Sequence, residues 1–181
     1  RVAREAGCPG LLFDIEQYNA PLFNYAKQRD AHTKSWSDYA VQVRRRGREV
    51  MAAFQEGFPD LVVFLTFGYS LPWEQSGGKQ DALAKCDYGL LAPFMDGLVE
   101  AAAGNARIVD GCELAYGYRE AKHFSDARRR ITEVLLPMVA EPTKYQRLVS
   151  VSFGLWMDYD WRNKGWNVEN PSKNIVPPEQ F

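Results

Sequence analysis

Acidic side chains recur at the ends of the apolar runs of this sequence, where an α/β protein builds its active site. Carboxylates close three of four such runs: Asp14 and Glu16, Asp110 and Glu113, and Asp158 and Asp160. A strand needs no carboxylate in order to fold, and an ionised carboxylate is costly to bury without a partner. The repetition therefore indicates a chemical use. Glycoside hydrolysis is one reaction that needs two carboxyls facing each other across a bond.

Asp14 and Glu16 are two residues apart on a predicted strand, so their side chains point the same way. Phe13 and Ile15 point the opposite way and suit packing against helices. Adjacent carboxylates hinder each other's ionisation, which is one way to keep Glu16 protonated near neutral pH. We expect Glu16 to be a general acid, and the alternative is a salt bridge to a Lys or Arg.

The partner of Glu16 stays open among three carboxyls, ranked Glu113, Asp110 and Asp158, and Asp14 lies beside the acid itself. Aromatic residues make up 13% of the chain, with 5 Trp and 9 Tyr, a share that suits either a core or a sugar-stacking cleft. The candidates for binding a sugar follow the same strand ends: Tyr18, Tyr69, Tyr116, Tyr118, Tyr159 and Trp161.

Four apolar runs bounded by turn residues predict buried strands at residues 10–16, 61–67, 107–116 with a break at Gly111, and 148–157. Helical spacing predicts helices between them, from Ser35 or Ser37 to Gly57, over residues 92–103, and over residues 124–138. The alternation predicts an α/β fold with parallel strands. On pattern alone a doubly wound sheet fits as well as a (β/α)8 TIM-type barrel.

Neither G-x-G-x-x-G nor a P-loop motif occurs, so no nucleotide signature favours the doubly wound sheet. The 181 residues are too few for a complete barrel of about 250 residues. We therefore expect one domain over residues 1–181 that forms part of a (β/α) barrel and lacks the early strands and the last. The opening residues 1–7 have the pattern of a helix tail stopped by Gly7, which fits a missing strand before them.

Composition and spacing exclude several other classes of function. Lys and Arg number 22 against 23 Asp and Glu, so the net charge of -1 predicts neither nucleic acid nor an anionic membrane as partner. His32 and His123 form no ligand pair and the three cysteines are far apart. We therefore expect no cofactor and no histidine or cysteine metal site, while a carboxylate site for Ca²⁺ or Mg²⁺ stays open.

The segments 10–18, 37–49, 109–118 and 149–159 resemble a family of bacterial glycoside-hydrolase-like (β/α) barrel proteins. The motifs that carry the resemblance are Leu-Phe-Asp-Ile-Glu-Gln-Tyr at residues 12–18, Val-Arg-Arg-Arg-Gly-Arg-Glu at 43–49, Val-Asp-Gly-Cys-Glu at 109–113 and Leu-Trp-Met-Asp at 155–158. The resemblance covers most of the chain. It implies a barrel with further strands outside this sequence and hydrolysis of O-glycosidic bonds.

The sequence is therefore compatible with three functions. The first is an O-glycosyl hydrolase that acts on a carbohydrate through Glu16 and a second carboxyl. The second is a non-catalytic carbohydrate-binding barrel. The third is a structural domain whose strand-end carboxylates are held in salt bridges. The open edges of a partial barrel would favour self-association, and the compartment is left open.

Overall fold

A parallel sheet of four strands forms the centre of the protein in the computed structural model, which describes residues 1–155. The strands are β1 Gly10–Phe13, β2 Val62–Leu65, β3 Arg107–Asp110 and β4 Val149–Val151. Strands that follow one another in the chain are neighbours in the sheet, in the order β1-β2-β3-β4, and every pairing is parallel. The sequence-based prediction of an α/β fold with parallel strands is confirmed.

Helices separate the strands over the described part of the chain. The α-helices are α1 Val2–Glu5, α2 Trp36–Gly57, α3 Ser70–Ser76, α4 Leu91–Ala101, α5 Ala121–Arg129 and α6 Pro142–Leu148. Short 3-10 helices lie at Tyr25–Lys27, Gln80–Lys85, Glu113–Gly117 and Leu136–Met138, and a π-helical turn lies at Arg130–Val134. The predicted helices correspond to α2, to α4, and to α5 with the turns that follow it.

The two faces of the sheet differ in exposure. Val63 and Leu65 point to one face and are fully buried, whereas Leu12 and Phe64, paired in register on the other face, are 71% and 36% exposed. Connections between parallel strands are right-handed as a rule, so strands in chain order place their crossovers on one face. The helices thus cover one face, and the other carries exposed apolar side chains within residues 1–155.

Helix α2 begins where its sequence supplies a complete capping box. The Ser35 hydroxyl accepts a hydrogen bond from the backbone N–H of Asp38, and the Asp38 carboxylate accepts one from the backbone N–H of Ser35 at 2.8 Å. This reciprocal pair satisfies two N–H groups that lack partners at a helix start. The sequence had left Ser35 and Ser37 open as the N-cap, and the structure selects Ser35.

Helices α2 and α4 cross at two glycines. A Cβ added to Gly47 would lie 2.2 Å from the carbonyl oxygen of Phe94, and one added to Gly97 would lie 2.0 Å from the carbonyl oxygen of Arg44. Only hydrogen fits at these positions, so the two backbones approach more closely than side chains would allow. The pair fixes the spacing of the helix layer behind β1 and β2.

Three elements differ from the sequence-based expectation. The segment after β2 was expected to be loop but forms α3, because Pro72 fits the first turn of a helix and Gly77, at φ 62°, ends it. Strand β3 does not resume beyond Gly111, since Cys112 adopts a left-handed φ of 43° and a 3-10 helix follows. Pro142 starts α6 rather than ending the preceding region.

None of the helices within residues 1–155 is long and apolar enough to cross a membrane. The longest, α2, has 22 residues and carries four arginines among its apolar positions. This observation agrees with the absence of a long apolar run in the sequence.

We predict that Gly97→Ala lowers the free energy of unfolding by about 1–3 kcal/mol, because the new methyl group would overlap the backbone of α2. The matched control is Gly117→Ala, since a Cβ there has no heavy atom within 4 Å. Chemical denaturation of both variants measures the difference. Equal stability of the two variants would show that the helices can separate without cost.

Candidate active site

The residues that follow β1 form a hydrogen-bonded cluster of exposed Asp14, half-buried Glu16 and exposed Tyr18, here termed the β1 cluster. The Tyr18 hydroxyl donates to Glu16 Oε1 at 2.7 Å and lies 3.3 Å from Asp14 Oδ2. The backbone N–H of Glu16 donates to Asp14 Oδ1 at 2.9 Å. One hydroxyl reaches both carboxylates, so these side chains lie on the same side of the chain, as their spacing predicted.

The intervening apolar residues take the opposite side. The Phe13 ring packs edge-on against Phe54 of α2, with centroids 5.3 Å apart, and Ile15 is 5% exposed. The alternation of apolar and acidic residues therefore separates a helix-facing set from a set that faces away from the helices. The hydrogen bond to Glu16 and the nearby negative charges raise the pKa of the Tyr18 hydroxyl, which stays protonated as a donor.

Glu113 opens the 3-10 helix after β3, and its backbone is held by Thr66, the residue that follows β2. Its backbone N–H donates to the carbonyl oxygen of Thr66 at 3.1 Å, and its Oε1 accepts from the Tyr116 hydroxyl at 2.7 Å. The side chain is half-buried, and burial raises the pKa of its carboxyl, an effect to which the charges of Glu16 and Asp14 add and which the Tyr116 hydrogen bond opposes. The negative charges of the β1 cluster therefore favour the protonated form of Glu113.

Glu16 and Glu113 line one depression of about 290 Å³ at the carboxyl ends of the strands. This depression, here termed the carboxyl-end depression, is lined by Glu16, Phe67, Leu71, Glu113, Leu114 and Tyr116. The structure therefore brings together Glu16, Glu113 and Tyr116 from the sequence-predicted set. Its wall is largely apolar, with the carboxyls as its charged groups.

Gly154, beyond β4, packs against the same wall. A Cβ at this position would lie 2.7 Å from Tyr116 Cε1 and 3.0 Å from the Cα of Glu113. The chain after β4 can pass this close only because it has no side chain there. Gly154 thereby sets the position of the Glu113–Tyr116 pair.

Asp110 lies in the core rather than in the depression. Its side chain has 0% exposure and points to the helix-facing side of β3, as Ile108 does two residues earlier. The Ser70 hydroxyl donates to Asp110 Oδ2 at 3.1 Å, and the backbone N–H of Cys112 donates to Oδ1 at 2.9 Å. Asp110 therefore joins the start of α3 to the turn after β3 and does not contact an external substrate, which corrects its prediction as a catalytic candidate.

Tyr69 is also internal, contrary to the prediction that it contacts a sugar. Its side chain has 0% exposure, its hydroxyl donates to Asp96, and its ring packs edge-on against Tyr145 with centroids 5.8 Å apart. Burial raises the pKa of Tyr69 strongly. The sequence signal, an aromatic just after a strand, does not distinguish the two faces of a sheet.

Tyr118 packs on the helix that follows it. Its ring is half-buried, 5.3 Å from that of Phe124 and 5.7 Å from that of His123 in α5. It is not among the side chains that line the carboxyl-end depression. The remaining predicted site residues, Asp158, Tyr159 and Trp161, lie outside the described residues.

The apolar wall of the depression is formed by Phe67, Leu71 and Leu114, which no sequence motif marks as site residues. Phe67 was placed inside the predicted strand, and Leu71 in a loop that is helical in the structure. Their position could have identified them, because all three residues come shortly after the carboxyl end of β2 or β3.

Two other chemistries find no support in the described residues. No group of three or more His, Cys, Asp or Glu side chains within residues 1–155 is arranged to hold a metal ion. Cys112 is 1% exposed, and burial raises the pKa of its thiol to about 11, so little thiolate exists at neutral pH. Among the side chains that line the depression, Glu16 and Glu113 are the acidic ones.

Comparisons with protein-family models, with curated proteins and with solved structures found no match to this chain.

We predict that Ser70→Ala lowers the free energy of unfolding by about 1–3 kcal/mol at pH 7, because buried Asp110 loses a donor. Burial raises the pKa of Asp110, so folding disfavours its ionised form. The contribution of this carboxyl to stability is therefore most favourable below about pH 3.9 and is lost as pH rises through the raised pKa. The Ser70 hydroxyl stabilises mainly the ionised form of Asp110, which becomes less populated as pH falls. The loss of stability in Ser70→Ala should therefore be smaller near pH 4 than at pH 7.

Denaturant titrations at both pH values measure this deficit. Ser125→Ala is the control, since Ser125 is exposed and bonds only to the carbonyl oxygen of Ala121 within α5. A deficit of equal size at the two pH values would mean that Ser70 does not act through the Asp110 carboxylate.

Proposed function

We propose that this chain is a carbohydrate-active hydrolase that cleaves O-glycosidic bonds with Glu16 and Glu113 as its carboxyl pair. One observation carries the proposal: the two carboxyls line the same largely apolar depression at the carboxyl ends of parallel strands. Glycosidases use two carboxyls on opposite sides of the scissile bond, one to protonate the leaving oxygen and one as nucleophile or base.

The ion pairs of the protein support this assignment by contrast. Glu49, Glu74 and Glu100 each pair with an arginine at 3.0 Å or less. None of the salt bridges formed within residues 1–155 includes Glu16 or Glu113, and the structural-domain hypothesis required such pairing. The two carboxyls instead accept hydroxyl donors, which leaves their charge available to a substrate.

The wall of the depression suits a sugar ring. Phe67 and Tyr116 offer aromatic carbon and Leu71 aliphatic carbon beside the two carboxyls. A pyranose has apolar C–H faces and an equatorial rim of hydroxyls, so it can contact such a wall with its face and the carboxylates with its rim. Tyr18, which is 72% exposed and donates to Glu16, is our candidate for contact with a further sugar hydroxyl.

We further propose that the sheet is part of a (β/α)8 barrel. Four parallel strands in chain order, with helices on one face and an apolar opposite face, are what one half of such a barrel contains. In that fold the active site lies at the carboxyl ends of the strands, where Glu16 and Glu113 stand. The sequence resemblance to bacterial glycoside-hydrolase-like barrels agrees with the proposal.

A second candidate is a non-catalytic carbohydrate-binding domain. The hydrogen bonds of the carboxyls favour it, because Tyr18 holds Glu16 and Tyr116 holds Glu113 as fixed acceptors. Fixed acceptors would suit recognition of sugar hydroxyls without any proton transfer.

We predict that Glu16→Gln and Glu113→Gln each lower the rate of glycoside hydrolysis by about 10²- to 10⁴-fold, the usual contribution of a positioned acid or base. The assay follows dye release from nitrophenyl glycosides of common hexoses and pentoses, in both anomers. Glu133→Gln is the matched control, because Glu133 is exposed on the π-helical turn away from the depression.

Sugar affinity separates the two candidates. A hydrolase should lose turnover in the glutamine variants while isothermal titration with the same sugars still detects binding. Binding by the wild-type chain with no release of dye from any glycoside would instead favour the carbohydrate-binding domain. If both glutamine variants keep the turnover and the sugar affinity of the wild type, the depression is not the functional site.

A further inference from the structure

The two carboxyls of the depression have unlike surroundings, and we propose that Glu113, rather than Glu16, is the proton donor, with Glu16 acting as nucleophile or base. This inference rests on the proposed function and changes the roles that the sequence alone suggested. Enzymes assign acid and base roles to a pair of carboxyls by giving them environments that stabilise different protonation states.

Glu113 occupies the less hydrated position. It is half-buried, its neighbour Leu114 forms part of the apolar wall, and its one side-chain donor, Tyr116, is half-buried as well. Gly154 packs directly against its Cα. Removal of water disfavours a carboxylate, so burial supports a protonated Glu113, and the raised pKa of its carboxyl has burial as the largest cause.

Glu16 occupies the more hydrated position. Glu16 itself is half-buried, as Glu113 is, but its hydroxyl donor Tyr18 is 72% exposed and Asp14 beside it is exposed as well. The hydrogen bond from Tyr18 to Glu16 is exposed to solvent, whereas the bond of equal length, 2.7 Å, from Tyr116 to Glu113 is partly buried. Water therefore stabilises an ionised carboxylate better at Glu16 than at Glu113. An ionised Glu16 also favours the proton on Glu113, since two nearby carboxyls do not both ionise readily.

The other titratable groups around the pair do not reverse this order. Facing Glu113 are Tyr116, on the same 3-10 helix, and the charges of Glu16 and Asp14 from the end of β1. Facing Glu16 are Tyr18 and Asp14, with Tyr88 and Asp87 on the loop beside them. No lysine or arginine of residues 1–155 forms a salt bridge with either glutamate, so no cation there favours an ionised Glu113.

The assignment gives a balanced reaction. The Glu113 carboxylic acid transfers its proton to the glycosidic oxygen as the bond from that oxygen to the anomeric carbon breaks, and the leaving sugar departs as an alcohol. The Glu16 carboxylate either attacks the anomeric carbon or takes a proton from the water that attacks it. In the first case a water later displaces Glu16 and gives its proton to the Glu113 carboxylate; in the second, proton exchange with solvent restores both groups.

The tyrosine donors allow a test that keeps both carboxyls in place. Each donor favours the ionised form of its own glutamate, so its removal should move one limb of the pH profile of kcat/KM. We predict that Tyr116→Phe moves the alkaline limb, set by loss of the acid, to higher pH. Tyr18→Phe should move the acidic limb, set by ionisation of Glu16, to higher pH. The opposite pairing of variants and limbs overturns the assignment.

Leaving-group dependence gives an independent measurement. A dinitrophenolate leaves without a proton, whereas a methyl or sugar alkoxide requires one. Glu113→Gln should therefore retain most turnover of dinitrophenyl glycosides and lose about 10²- to 10⁴-fold on methyl glycosides or disaccharides, while Glu16→Gln should lose both. The reverse pattern would place the proton on Glu16.

Failure of the assignment can be told apart from failure of the proposed function. Carbon-13 NMR titration of the glutamate carboxyls, with signals assigned through the two glutamine variants, reports the protonation order without any turnover. The inference requires Glu113 to titrate at higher pH than Glu16. Titration in the opposite order overturns it even in an active enzyme, whereas the expected order without hydrolysis of any glycoside removes the proposed function alone.

Discussion

A buried carboxylate, Asp110, joins the two segments from which the depression is built. It accepts from Ser70, at the start of α3, and from the backbone of Cys112, in the turn after β3. The first segment carries the apolar wall at Leu71, and the second leads directly to Glu113. A network of polar groups inside the core is costly unless every member finds a partner. The position of Glu113 therefore depends on a buried acid that does not itself line the depression.

Two acidic residues near the end of β3 have opposite surroundings: Asp110 is buried in the core, and Glu113, three residues later, lines the depression. This contrast explains where the sequence-based predictions held and where they did not. The strand-like alternation around Asp14 and Glu16 separated the two sides of the chain correctly, and apolar runs located all four strands. Asp110 and Tyr69 were misplaced because a residue at a strand end can turn into the core or toward solvent. That choice depends on long-range partners such as Ser70 and Asp96, which no local pattern encodes.

The left-handed backbone of Cys112 was likewise invisible in the sequence, since glycine is the residue that usually adopts this conformation. It follows Gly111, where a Cβ would lie 2.4 Å from the carbonyl oxygen of Leu65. Together the two residues bend the chain sharply across the end of β2. The bend carries Glu113 away from the line of β3 and toward the β1 cluster, which a continued strand would not do.

The strand order has a consequence for how the chain can be synthesised. Each of the strands β2, β3 and β4 pairs with the strand made just before it, so its hydrogen-bonding partner is already synthesised when it emerges. Among the described strands, β2, β3 and β4 can therefore form their backbone hydrogen bonds before later segments are synthesised. Such a sheet can form during translation from its amino-terminal strand onward, because each new strand adds to the edge formed by the strand before it.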